Sequence, residues 1–251
     1  MAISIQKANF WKRFSAWMLD SMMVVLLCTT FFFPFSSLFG YDTTRDKMQV
    51  IVNANKPSIE QEYGINLDED YDELSDDQKA LFDKASEALN ELLLSNEEFV
   101  ALYAQSTSRL LCSIALALFV SVMIAHFAIP LFIKNGQSLG KKVFGLAVIR
   151  TNCVKASPIA LFIRAAVGMF AIETVAFAFL AAVVPVGTIA AVGMLILQAY
   201  VMIKTYTNSV IHDLISDTAV VDYASQQIFE SEEELTEFLQ RTAAEATAKN
   251  A

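Results

Sequence analysis

Apolar residues fall into long blocks along this chain, set apart by stretches dense in charge. The first block covers about residues 17–39, with Pro34 inside it as an expected kink. The second runs from Leu110 to Ile133. Residues 159–203 form a third run that, as one helix, would measure about 67 Å, more than twice a ~30 Å hydrocarbon core. It is therefore expected to fold back at Val184-Pro185-Val186-Gly187, giving spans near 159–183 and 187–206. The pattern predicts an all-α polytopic membrane protein, a bundle of four transmembrane helices with a helical extracellular insertion.

The insertion, residues 41–108, has its own periodicity. Ser75-Asp76-Asp77-Gln78 has the form of a capping box and precedes Leu81, Phe82, Ala85, Leu89, Leu92 and Leu93 at helical spacing. A second box, Ser95-Asn96-Glu97-Glu98, opens a segment expected to run as one helix into the second span. Residues 222–251 read as an amphipathic helix with Phe229, Leu235, Phe238 and Leu239 among glutamates. Four parts follow: 1–40 with the first span, the acidic insertion 41–108, spans two to four within 109–221 with a basic loop at 134–158, and the acidic tail 222–251.

Composition supports the membrane assignment: 55% of residues are hydrophobic and mean hydropathy is +0.45. The net charge of −9 conceals a sorting by segment. Residues 41–108 hold 16 acids and 5 bases and residues 222–251 hold 7 acids and 2 bases, so the membrane-embedded remainder is basic. Lys7, Lys12 and Arg13 precede the first span, and Lys134, Lys141, Lys142, Arg150 and Lys155 lie between the second and third. Basic short flanks stay inside, which predicts a multi-pass cell-membrane protein with both termini and the 134–158 loop cytoplasmic. The first apolar run exceeds a signal core and no Ala-x-Ala site follows, so it is expected to stay as an anchor. Cys28, Cys112 and Cys153 imply no disulfide framework.

Ionisable residues in or beside apolar spans are costly and mark function. Arg13 and Asp20 stand two helical turns apart on one face, about 10 Å along the axis. Glu173 lies in the third span, nine residues past Arg164 and so, on an α-helix, on the opposite face. His126 lies in the second span and is the expected partner of Glu173, as an interhelical hydrogen bond or as a relay. Small residues Ala165, Gly168, Ala178 and Ala182 let spans approach closely. The loop Gly136-Gln137-Ser138-Leu139-Gly140-Lys141 lacks P-loop spacing and reads as a tight turn at the membrane surface. No Ser–His–Asp or Cys–His arrangement, zinc spacing or nucleic-acid module is present, so neither an enzyme, a metal site nor a cofactor is expected.

Taken in order, Arg13 with Asp20, Gly136 to Lys141, Arg164, and His212-Asp213 with Thr218-Ala219-Val220-Val221 resemble the RDD family of membrane proteins. The likeness covers about residues 8–39 and 110–222. This chain departs from the family pattern at Leu214 and Ala219, where basic residues are common, and at Thr151-Asn152-Cys153, where Asp-Gly is common. Arg13, Asp20, Arg164 and Asp213 are expected to gather in a four-charge cluster at the inner surface, either as a structural network or as a cation or proton site. The resemblance implies, for some members, exchange of sodium-type monovalent cations for protons, with Asp20, Asp213, Glu173 and His126 as coupling candidates and a homo-oligomer as the working form. The other reading is a non-transporting accessory protein that scaffolds or regulates an envelope partner. Lipid bilayer, cations and protons, a second copy or a membrane protein are the expected partners, and nucleic acid is not.

Overall fold

The computed structural model describes residues 4–175, 178 and 186–249. Its elements in order are α1 (Phe10–Phe39), α2 (Tyr41–Tyr63), α3 (Asp76–Ser95), α4 (Glu97–Phe132), α5 (Leu139–Val143), β1 (Leu146–Arg150), α6 (Pro158–Val175), α7 (Val186–Lys204), α8 (Ile211–Ile215), β2 (Thr218–Asp222) and α9 (Glu232–Lys249). Among the described residues, α1, α4 and α6 are long and apolar enough to cross a membrane. The chain is thus a helical membrane protein, and α1 continues through Pro34. Of the expected hinge, Val184 and Pro185 lie outside the described residues, and Val186 and Gly187 open α7. Ala182 is also outside them, Ala165 and Gly168 are buried, and Ala178 is exposed.

The chain divides into two compact units, Thr29–Ala117 and the remainder. In the first, Gly40 at φ 71° turns the chain from α1 into α2, and Gly64 at φ 65° ends α2, conformations that only glycine adopts at no steric cost. Ser75 and Gln78 form the expected capping box at α3. The stripe of α3 packs inside this unit: Ala85, Phe82 and Leu89 meet Ile59 of α2 and the loop residues Ile65 and Leu74. Leu81 and Leu92 stay exposed. The cap of α4 is Asn96, whose side chain accepts from the Phe99 amide at 3.0 Å, one residue beyond the expected Ser95. α4 then runs unbroken from the polar segment into the second apolar block. The helix α2 is a finding beyond the sequence pattern, since it is polar and carries Pro57.

The second unit is built around a feature that an all-α reading omits. β1 and β2 form an antiparallel pair with Val148 opposite Val220 and Arg150 opposite Thr218. One face, Leu146, Val148 and Val220, packs on Ala8, Ala16, Ala156 and Leu161, with Phe127 and Phe144 at the margin. The other, Ala147, Ile149 and Val221, is covered by Cys153, Val154 and Phe229, with Leu235 and Phe238 of α9 behind them. The first four residues of each strand are buried, so the strands are continuous apolar runs without alternation. Phe229 sits before α9 and bridges Val154, so the acidic tail is tied to the sheet by a buried aromatic ring.

Candidate functional site

Two sets of buried charge flank the sheet within this second unit. The first surrounds Asp20, 1% exposed in α1. Asn135 and Gly136 take left-handed backbone at φ 64° and 62°, and Gln137 pins the following loop by donating to the Leu146 carbonyl at 2.7 Å. Ser138 caps α5, and the loop closes over the carboxylate. Ser138 Oγ donates to Asp20 Oδ2 at 2.5 Å, the Gly140 amide to Oδ1 at 2.8 Å, and Lys141 Nζ to Oδ2 at 3.3 Å. A side chain on Gly140 would overlap the Ala16 carbonyl, so this approach requires glycine. Burial pushes the Lys141 ammonium below its ordinary range, while Asp20 opposes the shift and Arg164 adds to it. His126 lies on a π-helical turn of α4, Ile124–Ala128, close enough for Asp20 and Lys141 to act on it electrostatically.

The second set centres on Asp213 of α8, which has no exposed surface. Arg13 Nη2 reaches Oδ2 at 3.1 Å and Arg164 Nη2 reaches Oδ1 at 2.8 Å. The Arg164 contact is an ion pair without hydrogen-bond alignment, which leaves Oδ1 lacking a well-directed donor. The Val210 amide donates to Oδ2 at 3.2 Å, and Arg13 Nη1 donates to the Asn208 carbonyl at 2.6 Å. Burial alone would raise the Asp213 carboxyl, but Arg164, His212, Arg13 and the Val210 amide outweigh it and hold it down to about 2.

His212 extends this set. Arg164 Nη2 lies 2.9 Å from His212 Nε2, and His212 Nδ1 lies 2.7 Å from Glu173 Oε1. A guanidinium only donates, so in the neutral imidazole Nε2 accepts and Nδ1–H points to Glu173. The His212 amide also donates to Glu173 at 3.1 Å, and Gln198 of α7 adds a further hydrogen bond. The result is one line of contacts, Arg13–Asp213–Arg164–His212–Glu173.

Three expectations are corrected by this geometry. Asp20 and Asp213 do not share one four-charge cluster: Asp20 takes a lysine, Lys141, and both arginines go to Asp213. Glu173 pairs with His212, and His126 belongs to the Asp20 side. Arg164 and Glu173 also do not lie on opposite faces, because residues Ile163–Val175 of α6 are π-helical. At i→i+5 bonding, about 4.4 residues per turn, nine residues make about two turns and bring both side chains to one face. Thr174 Oγ1 donating to the Met169 carbonyl, five residues back, follows the same winding. Ser138, Gln198 and Thr218, whose hydroxyl accepts from Arg164 Nη1 at 3.4 Å, join the site without having been singled out as site residues. Ser138 was readable as a helix cap, and Gln198 offered no signal beyond being polar in an apolar run. Among the described residues, no group of three His, Cys, Asp or Glu could hold a metal ion.

A helical membrane protein whose short loops fold over buried carboxylates is the class that this architecture defines. The family model for the RDD family matches residues 7–217, and the chain belongs to that family. The matched region ends just before β2 and excludes the acidic tail. No curated protein matches the chain, and no solved structure matches it.

Proposed function

We propose that this protein exchanges a monovalent cation of the sodium type for a proton across the cell membrane, at the Asp20–Lys141 pair. The observation that carries the reading is the composition of that pair: a buried carboxylate neutralised by one ammonium at 3.3 Å, beside a hydroxyl oxygen at 2.5 Å. A hard cation prefers carboxylate, hydroxyl and carbonyl oxygens. When it binds Asp20 and Ser138 Oγ, Lys141 loses its proton and leaves as a neutral amine. One positive charge enters and one departs, so the buried site stays balanced, which a low-dielectric surrounding demands. Burial of Lys141 favours that release. The released proton leaves the site for water and takes its charge with it. The Asp213 line, with two guanidiniums on one carboxylate, acts as the fixed frame.

The accompanying arrangement is a multi-pass protein with four spans and both termini cytoplasmic. Four spans are few for alternating access, so the working form is a homo-oligomer. The test is flux: in proteoliposomes, an imposed sodium gradient moves protons, and Asp20→Asn and Lys141→Met abolish the movement. Wild-type vesicles that move no protons, or an Asp20→Asn variant as active as wild type, overturn the reading.

A second reading is favoured by the Thr29–Ala117 unit, which is compact, acidic and has its own apolar core. In that reading the protein is a non-transporting accessory factor that binds an envelope partner through this unit. Replacement of residues 45–95 by a short linker separates the two: exchange activity survives it, and a partner-dependent phenotype does not.

A further inference from the structure

A pocket of about 530 Å³ opens where two membrane-length helices meet the polar loops, with the last residues of α4 (Pro130–Phe132) and the first of α6 (Pro158) in its wall. Three cations, Lys134, Arg150 and Lys155, converge on it, with one acid, Glu230. Neither the cation exchange proposed above nor the Asp213 line uses any of these groups.

The apolar border of the pocket is unusual for an ion site. Phe132, in the pocket wall, is 90% exposed, and Ile159, the residue after the lining Pro158, is 72% exposed. In water such side chains would carry a cost, while at the edge of a bilayer they sit against acyl chains. The polar side has one cation to spare, and two held only by exposed acids. Among the described residues Lys134 forms no ion pair. Lys155 is held by Glu230 at 2.9 Å, and Arg150 by Glu232 at 2.7 Å and Asp217 at 3.6 Å, all of them well-exposed carboxylates. Exposed pairs of this kind are worth little, so a phosphate can displace them. Basic pockets between membrane helices on the cytoplasmic side are suited to phospholipid headgroups.

We propose that this pocket binds the phosphate headgroup of an anionic phospholipid, with its acyl chains lying along Phe132 and Ile159, and that the acidic segment at Glu230 competes for the same lysine. A free phosphate ion shares the headgroup chemistry but gains nothing from the apolar border, so the lipid is the ligand. The volume lies within the usual range for small-molecule sites. The competing segment is anchored through buried Phe229, immediately before Glu230, so it can release its carboxylate without leaving the sheet.

The test uses the full chain in neutral detergent, titrated with short-chain phosphatidylglycerol and with phosphatidylcholine, with bound lipid counted by native mass spectrometry. Phosphatidylglycerol binds about tenfold more tightly than phosphatidylcholine, and Lys134→Gln combined with Lys155→Gln removes that preference. Glu230→Gln tightens binding several-fold, a gain that a poorly folded variant would not show. Excess inorganic phosphate leaves the lipid bound. Equal binding of the two lipids, no gain from Glu230→Gln, or complete displacement by inorganic phosphate each overturns the proposal.

Discussion

Arg164 and Glu173 touch opposite nitrogens of the same imidazole, that of His212, although on an α-helix they would point apart. The π-helical winding of α6 is what permits it, and Gly168 between them leaves room for α8 to approach. A Cβ at Gly168 would stand 2.6 Å from His212 Cβ and 2.8 Å from its Cα, so one segment has to move. Gly168→Ala therefore destabilises by about 1–3 kcal/mol. The check is the thermal unfolding midpoint in detergent, with the buried Ala165→Gly as a comparison that adds no atoms.

A glycine in close contact and a glycine in open space respond differently to a side chain. Gly140→Ala forces a side chain against the backbone carbonyl of Ala16, which cannot rotate away, and against the Asp20 carboxylate. Gly64→Ala meets no atom within 4 Å and suffers only the strain of φ +65°, about 1 kcal/mol. Gly140→Ala is expected to lose more stability than Gly64→Ala and also to lose the Asp20 cradle. Paired denaturation curves test the order, and a Gly64 variant that is the weaker of the two would contradict it.

The helical spans were legible in the sequence because burial in lipid requires long apolar runs, and α1, α4 and α6 coincide with them. The capped helix α3 was legible because Ser75 and Gln78 carry a local signal that needs no tertiary context. The sheet was not, since strands buried on both faces lack the alternation that reveals a strand, and Leu146–Arg150 and Thr218–Asp222 are too short to stand out. At the site, the charged residues were visible as outliers in apolar surroundings, but their partners were not. Setting Glu173 on the face opposite Arg164 assumed α-helical winding, and a π-helical stretch leaves no mark in the pattern of apolar residues. Lys141 was visible as a loop residue, and only the fold brings its ammonium to Asp20.

Asp213 makes stability depend on pH in one direction. Its carboxyl is lowered from an ordinary 3.8 to about 2 in the folded protein. The unfolded chain therefore takes up a proton first as pH falls, and the stabilisation is full above about pH 4 and drains away as pH drops through about 2. Asp213→Asn removes this dependence and leaves two guanidiniums buried without a counter-charge, at a cost of about 3–5 kcal/mol. Denaturation midpoints measured from pH 6 downward should show an acid limb in the wild type that is reduced in the variant.

Lys12 and Asp222 form a shorter contact than any pair at Asp213, 2.6 Å, yet it should matter far less. The lysine side chain is 47% exposed and the aspartate 20%, so water screens the pair and side-chain freedom is lost in forming it. A Lys12→Ala, Asp222→Ala double-mutant cycle is expected to give a coupling of about 1 kcal/mol or less. The same cycle between Arg13 and Asp213 should exceed it, and a reversed order would show that burial does not set the strength of these contacts.

Thiol labelling is the direct route to orientation, and the structure decides which residue can report it. Cys153 lies in the basic loop 134–158, so labelling from the cytoplasmic side alone is the natural expectation from sequence. However, it is 3% exposed, packed beside Val154 and Phe229, and burial raises its thiol. A thiol that is both covered and protonated reacts slowly from either side, so wild-type Cys153 should label only after unfolding. Asn152 precedes it at an exposed turn position. Asn152→Cys in a Cys153→Ala background is expected to react within minutes with a membrane-impermeant maleimide in inverted vesicles and not in intact cells. Reaction in intact cells would place the sheet, the Asp20 loop and the lipid pocket on the outer side, and would reverse the direction of the proposed exchange.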